Sequence, residues 1–175
     1  MLKKLFLVSL IVIPIITLSI RNKNDPITNS YIVKEGAVPK EVPIAQLIID
    51  KISINNYIYS YDSINNTVEK NVELLAGSTF PDKENSIVFL AAHSGNSNIS
   101  YFNNLDRLKK KDKIIFYYKD YKYEYSVDYL MSQEKDGDIE INKTSKNQLI
   151  LTTCSTTNKN KQLIVSSYLV NKYKI

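Results

Sequence analysis

From Tyr121 to Tyr129 the chain alternates residue by residue. Tyr121, Tyr123, Tyr125, Val127 and Tyr129 fall on one side, and Lys122, Glu124, Ser126 and Asp128 on the other. A period of two belongs to an extended strand with one buried face and one wet face. A helix, turning every ~3.6 residues, would spread the tyrosines around its axis. Just upstream, Ile114-Ile115-Phe116-Tyr117-Tyr118 meets Lys119-Asp120, so the two runs are expected to form a hairpin. A tyrosine stripe can stack nucleic-acid bases, but core or cross-strand packing is the more ordinary use of such a face.

The same β signal recurs along the chain. Ala45 to Ile54 carries Leu47, Ile48, Ile49, Ile52 and Ile54, and Tyr57-Ile58-Tyr59 follows through an expected turn at Asn55-Asn56. Asp62 to Asn66 suits a single helical turn capped by Asp62. Val68 to Leu75 fits strand or turn, and Gly77, Pro81 and Asp82 mark a loop. Ser86 to Ala92, Gln148 to Cys154 and Leu163 to Val170 are nearly continuous apolar runs. One amphipathic helix is expected at Asn98 to Lys109, where Ile99, Phe102, Leu105 and Leu108 recur every third residue. Glu134 to Glu140 reads as an acidic loop. Seven or eight short strands make an all-β (mainly β) protein, a closed or nearly closed β-barrel. A hydrophobic fraction of 43% can fill its core.

The N-terminus differs in kind. Lys3-Lys4 precedes an apolar stretch from Leu5 to Ile20, and Arg21 and Lys23 follow it. This is the layout of an export signal. No small-x-small cleavage site follows, so an uncleaved signal anchor is favoured over a cleaved peptide or a buried core helix. The expected organisation is a membrane segment at 1–24, a linker at 25–42 and a folded domain at 43–175. The charge bias places the N-terminus in the cytoplasm and the domain outside.

A formal charge of +5 is modest, and its densest run is Lys109-Lys110-Lys111. A solvated helix end accounts for that run, so no nucleic-acid partner is expected. The chain holds one cysteine and one histidine. One cysteine excludes an internal disulfide, and an exported lone thiol calls for a use. Cys154 ends one apolar run, and His93 follows another. A thiol attacks as thiolate, and a neighbouring imidazole can take its proton. Strand ends opening into loops are where such residues are commonly presented.

These residues resemble the sortase family. Leu149-Ile150-Leu151-Thr152-Thr153-Cys154 is similar to its TLxTC signature, and His93-Ser94-Gly95 to its histidine segment. Phe102 to Lys109 with Lys111-Asp112 resembles its FxxLxxLKxGD stretch, Lys111 standing in place of glycine. Ile58-Tyr59-Ser60 and Ile64-Asn65 to Leu75-Ala76-Gly77-Ser78 add to the likeness. The resemblance implies an eight-stranded sortase-type barrel with one or two short helices. It lies outside a Gram-positive-type cell membrane, held by a single-pass anchor.

The implied reaction is transpeptidation of an LPxTG-type sorting signal. Cys154 is the nucleophile and His93 the acid/base. The acceptor is an amine such as a cell-wall precursor or pilin. The family's last-strand arginine has no counterpart, so Gln162 or Lys161 is the candidate replacement. Thr153, Ser94 and Ser155 are candidate substrate-binding residues. No metal ligand set or cofactor is expected, although Asp82, Glu84, Glu134, Asp136, Asp138 and Glu140 could offer oxygens to calcium. The missing arginine leaves an inactive or weakly active sorting-signal binder or scaffold as the alternative. A generic exported thiol peptidase is the third reading. No helix is evident between Glu134 and Asn147, against the sortase class that inserts one there.

Overall fold

The computed structural model describes residues 41–175. The expected membrane segment and nearly all of the expected linker lie outside them. Among the described residues, no helix is long and apolar enough to cross a membrane.

Eight strands form one sheet. They are β1 (Ala45–Ile49), β2 (Ile54–Ile58), β3 (Glu73–Leu74), β4 (Ile87–Ala91), β5 (Lys113–Tyr118), β6 (Tyr121–Glu134), β7 (Gln148–Cys154) and β8 (Lys161–Lys174). Their order is β2-β1-β5-β6-β8-β7-β4-β3, so β2 and β3 are the edges of a barrel-like, nearly closed sheet. Every neighbouring pair is antiparallel except β4 and β7. The parallel pair needs a long crossover, which the β5–β6 hairpin and its flanking loops supply.

Burial explains the sequence patterns. β7 lies between β4 and β8, and six of its seven residues are buried. That is why Gln148-Leu149-Ile150-Leu151-Thr152-Thr153 reads as a continuous run. Leu47, Ile49, Leu90, Phe116, Leu149, Leu151 and Val165 meet in the core. The β6 face is less uniform than the alternation implies. Tyr123, Tyr125 and Val127 are buried, whereas Tyr121 and Tyr129 are half-buried. Register slips between Glu124 and Tyr125, and between Val127 and Tyr129, break the ladder to β8. A bulge of this kind bends the strand and re-aims its side chains.

The expected helix at Asn98 to Lys109 is not formed. Only a 3-10 turn at Leu105–Arg107 appears there, preceded by a string of turns. The reason lies in the spacing. Apolar residues three apart match the three-residue turn of a 3-10 helix, in which i and i+3 eclipse. Phe102, Leu105 and Leu108 accordingly reach the core together. The amide of Phe102 donates to His93 O at 3.1 Å rather than to its own turn. Ser97 and Ser100 bond side chain to side chain at 2.9 Å, a local alternative to helix that such residues favour.

Two smaller expectations are also corrected. The first turn falls at a 3-10 turn, Asp50–Ile52, followed by Ser53 at φ 56°, and Asn55-Asn56 are inside β2. Asn55 pairs with Ile48 across the ladder, and its side chain accepts from Gln46 at 2.7 Å. Asp62 caps no helix; it accepts the hydroxyl of Ser60 at 2.6 Å, which holds its carboxyl below the usual range.

Candidate active site

The parallel pair sets the site. Ala91 is in register with Thr152. His93 and Cys154 each lie two residues further, just past the end of the β4–β7 ladder. Contacts past the ladder hold them together. Ala92 N donates to Thr152 O at 3.3 Å. The buried Thr153 hydroxyl donates to Ala92 O at 2.7 Å. The Ser94 hydroxyl donates to Cys154 O at 2.7 Å. Gly95 then turns the chain at φ +126°, a region that suits glycine, and its amide donates to Asn103 Oδ1 at 3.0 Å. His93 and Cys154 are both half-buried, reachable from solvent without being loose.

A cleft of about 220 Å³ opens at this point, with Ser94, Phe102, Thr153, Cys154, Ser155 and Leu163 in its wall. Of the candidate substrate-binding residues, Ser94 and Thr153 spend their hydroxyls on main-chain carbonyls, so their side chains shape the rim. Ser155 accepts from the amides of Thr157 and Asn158 at 3.3 and 3.2 Å, and so folds the loop after β7.

The two candidates on β8 are placed differently. Gln162 sits directly opposite Cys154 in the antiparallel ladder, where partner side chains share a face. Its amide nitrogen donates to Glu134 O at 3.3 Å and Asp138 O at 2.7 Å, and its oxygen accepts from Thr152 at 3.4 Å. Lys161 pairs with Glu134 at 3.6 Å. Arg107 is exposed and does not line the cleft.

A residue that the sequence reading passed over touches the sulfur. Lys135, the first residue after β6, places Nζ 3.2 Å from Cys154 Sγ. Nothing local marks it, because its only distinction is a partner nineteen positions away.

The acidic residues do not converge on an ion. Asp82 pairs with Lys119 at 2.6 Å, and that lysine holds its carboxyl below the usual range. Among the described residues, no three His, Cys, Asp or Glu side chains gather as a metal site.

A thiol and an imidazole at the ends of a parallel pair of strands are residue types that cysteine-dependent acyl transfer uses. The sortase-domain profile matches residues 47–170, and the chain belongs to the sortase family, whose members are generally cysteine transpeptidases. Solved structures agree. Sortase A from Corynebacterium diphtheriae is 26% identical with a TM-score of 0.65, the match covering 75% of this chain and 62% of that one. The chain thus spans less than two thirds of that relative. Sortase C1 from Streptococcus agalactiae is 26% identical with a TM-score of 0.64, over 74% of this chain and 68% of that one. Streptococcus pneumoniae sortase C, at 24% identity and a TM-score of 0.65 over 76% and 70%, shares the fold. No curated protein sequence matches.

Proposed function

We propose that this chain is a sortase-type cysteine transpeptidase that cleaves an LPxTG-type sorting signal and passes its acyl part to an amine. The observation that carries the reading is the β4–β7 register, in which Ala91 faces Thr152 two residues before His93 and Cys154, with Cys154 in the wall of the cleft. In the first half-reaction the Cys154 thiolate attacks the threonyl carbonyl carbon. The C–S bond forms as the C–N bond to glycine breaks. The leaving amine takes its proton from His93, which gained one from the thiol. In the second half-reaction an acceptor amine attacks the thioester, gives a proton to His93, and Cys154 leaves as thiolate. The acceptor is an amine of a cell-wall precursor or of another protein such as a pilin. On β8, Gln162 is the candidate donor to the oxyanion once the 134–138 turn releases its amide, and Lys161 is the candidate charge. The segment at 1–24 anchors the domain to the outer face of a Gram-positive-type membrane.

The test is mass spectrometry of the full-length chain with a library of LPxTG-type peptides, with and without an amine acceptor. An acyl adduct on Cys154, diverted to product by added amine, is expected. His93→Ala should slow its formation by about 10²–10⁴-fold. If wild-type protein forms no adduct with any peptide, the reading fails. Hydrolysis that added amine never diverts would identify a thiol peptidase instead.

A further inference from the structure

We propose that Lys135 is a catalytic residue, supplying the positive charge that holds Cys154 in its reactive, negatively charged form. The inference rests on the reading of Cys154 as the nucleophile. Its basis is the 3.2 Å contact between the lysine ammonium and the sulfur. An ammonium can only donate, so the sulfur is the acceptor, and a neighbouring cation favours thiolate over thiol.

The contact is built into the backbone. Lys135 N donates to Asn160 O at 2.8 Å, fastening the residue to the loop that follows Cys154. On either side of it, Glu134 O and Asp138 O both accept from the side chain of Gln162. One step further out, the Gln133 side chain accepts from Glu140 N at 3.1 Å and donates to Glu140 O. The stretch around Lys135 is therefore clamped to β6 and β8, and its ammonium is brought over the end of β7. Lys161, at the start of β8, is turned toward Glu134. The thiol proton goes to His93, and Lys135 acts by charge alone.

The chain has one cysteine, so alkylation by iodoacetamide reports Cys154 and needs no sorting signal. At neutral pH, full-length Lys135→Gln should label about fivefold more slowly than wild type, the scale of a solvent-exposed charge pair. Lys135→Arg should label within about twofold of wild type, since it restores the charge. Lys159→Ala, which removes an exposed lysine of the neighbouring loop, should label at the wild-type rate. Circular dichroism checks that each variant folds, and Lys135→Met, which keeps the aliphatic stem, serves if the glutamine variant does not. Wild-type labelling by folded Lys135→Gln or Lys135→Met overturns the proposal. The two readings fail separately. Slow labelling without any acyl adduct refutes the transpeptidase and leaves Lys135 in place, while an adduct with unchanged labelling refutes only Lys135.

Discussion

Ser94 donates its hydroxyl to the carbonyl oxygen of Cys154 at 2.7 Å, and this bond ties the histidine loop to the end of the nucleophile strand. It lies beyond the last paired residues of β4 and β7, Ala91 and Thr152. The relative placement of imidazole and thiol therefore depends on side-chain bonds past the ladder, this one and that of Thr153 to Ala92 O.

Replacing Ser94 by alanine removes that bond and leaves both reactive groups in place. Acylation of Cys154 should slow by about tenfold, since small misplacements at a reacting centre are costly. Global stability should fall by only about 1 kcal/mol, the ordinary net value of such a bond. Single-turnover acylation and urea denaturation measure the two effects. Equal rates in the variant and the parent would show that this bond does not set the geometry.

Lys111 carries a φ of 75°, in the left-handed region, with its amide donating to Val127 O at 2.7 Å. A side chain there costs about 1–2 kcal/mol. Glycine avoids that strain but loses about 0.5–1 kcal/mol in chain entropy. Lys111→Gly should therefore stabilise the domain by roughly 0.5–1 kcal/mol, with activity unchanged. Lys111→Ala should give no such gain. Paired denaturation curves decide it.

Tyr125 is fully buried, and its hydroxyl has no hydrogen-bond partner among the described residues. Tyr125→Phe should raise stability by about 1 kcal/mol by removing an unsatisfied polar group. Burial, with the neighbouring Tyr123 second, pushes the phenol well above its usual range. A group raised in the folded state gives stability that is complete below its unfolded pKa, about 10, and lost as pH climbs beyond it. Above about pH 10 the wild type should lose stability faster than Tyr125→Phe. Parallel pH slopes in thermal melts would refute the assignment.

Much of the barrel was legible because its signals are local. Strand alternation in Tyr121 to Tyr129 and the apolar run into Cys154 report burial on one face and on two. The stretch from Asn98 to Lys109 misled because an amphipathic pattern at three-residue spacing serves a 3-10 turn as well as an α-helix. What decided between them was where the Phe102 amide found its acceptor, on His93.

The sequence by itself determined the strand character, the single thiol and imidazole, and their placement at the ends of two apolar runs. These follow from residue type and spacing within a few positions. Only the tertiary structure decided that β4 and β7 pair in parallel, that Gln162 spends its amide on Glu134 and Asp138, and that Lys135 reaches the sulfur of Cys154. Each of these is a contact between residues distant in sequence. Its energy depends on how the sheet closes, and no local pattern encodes that.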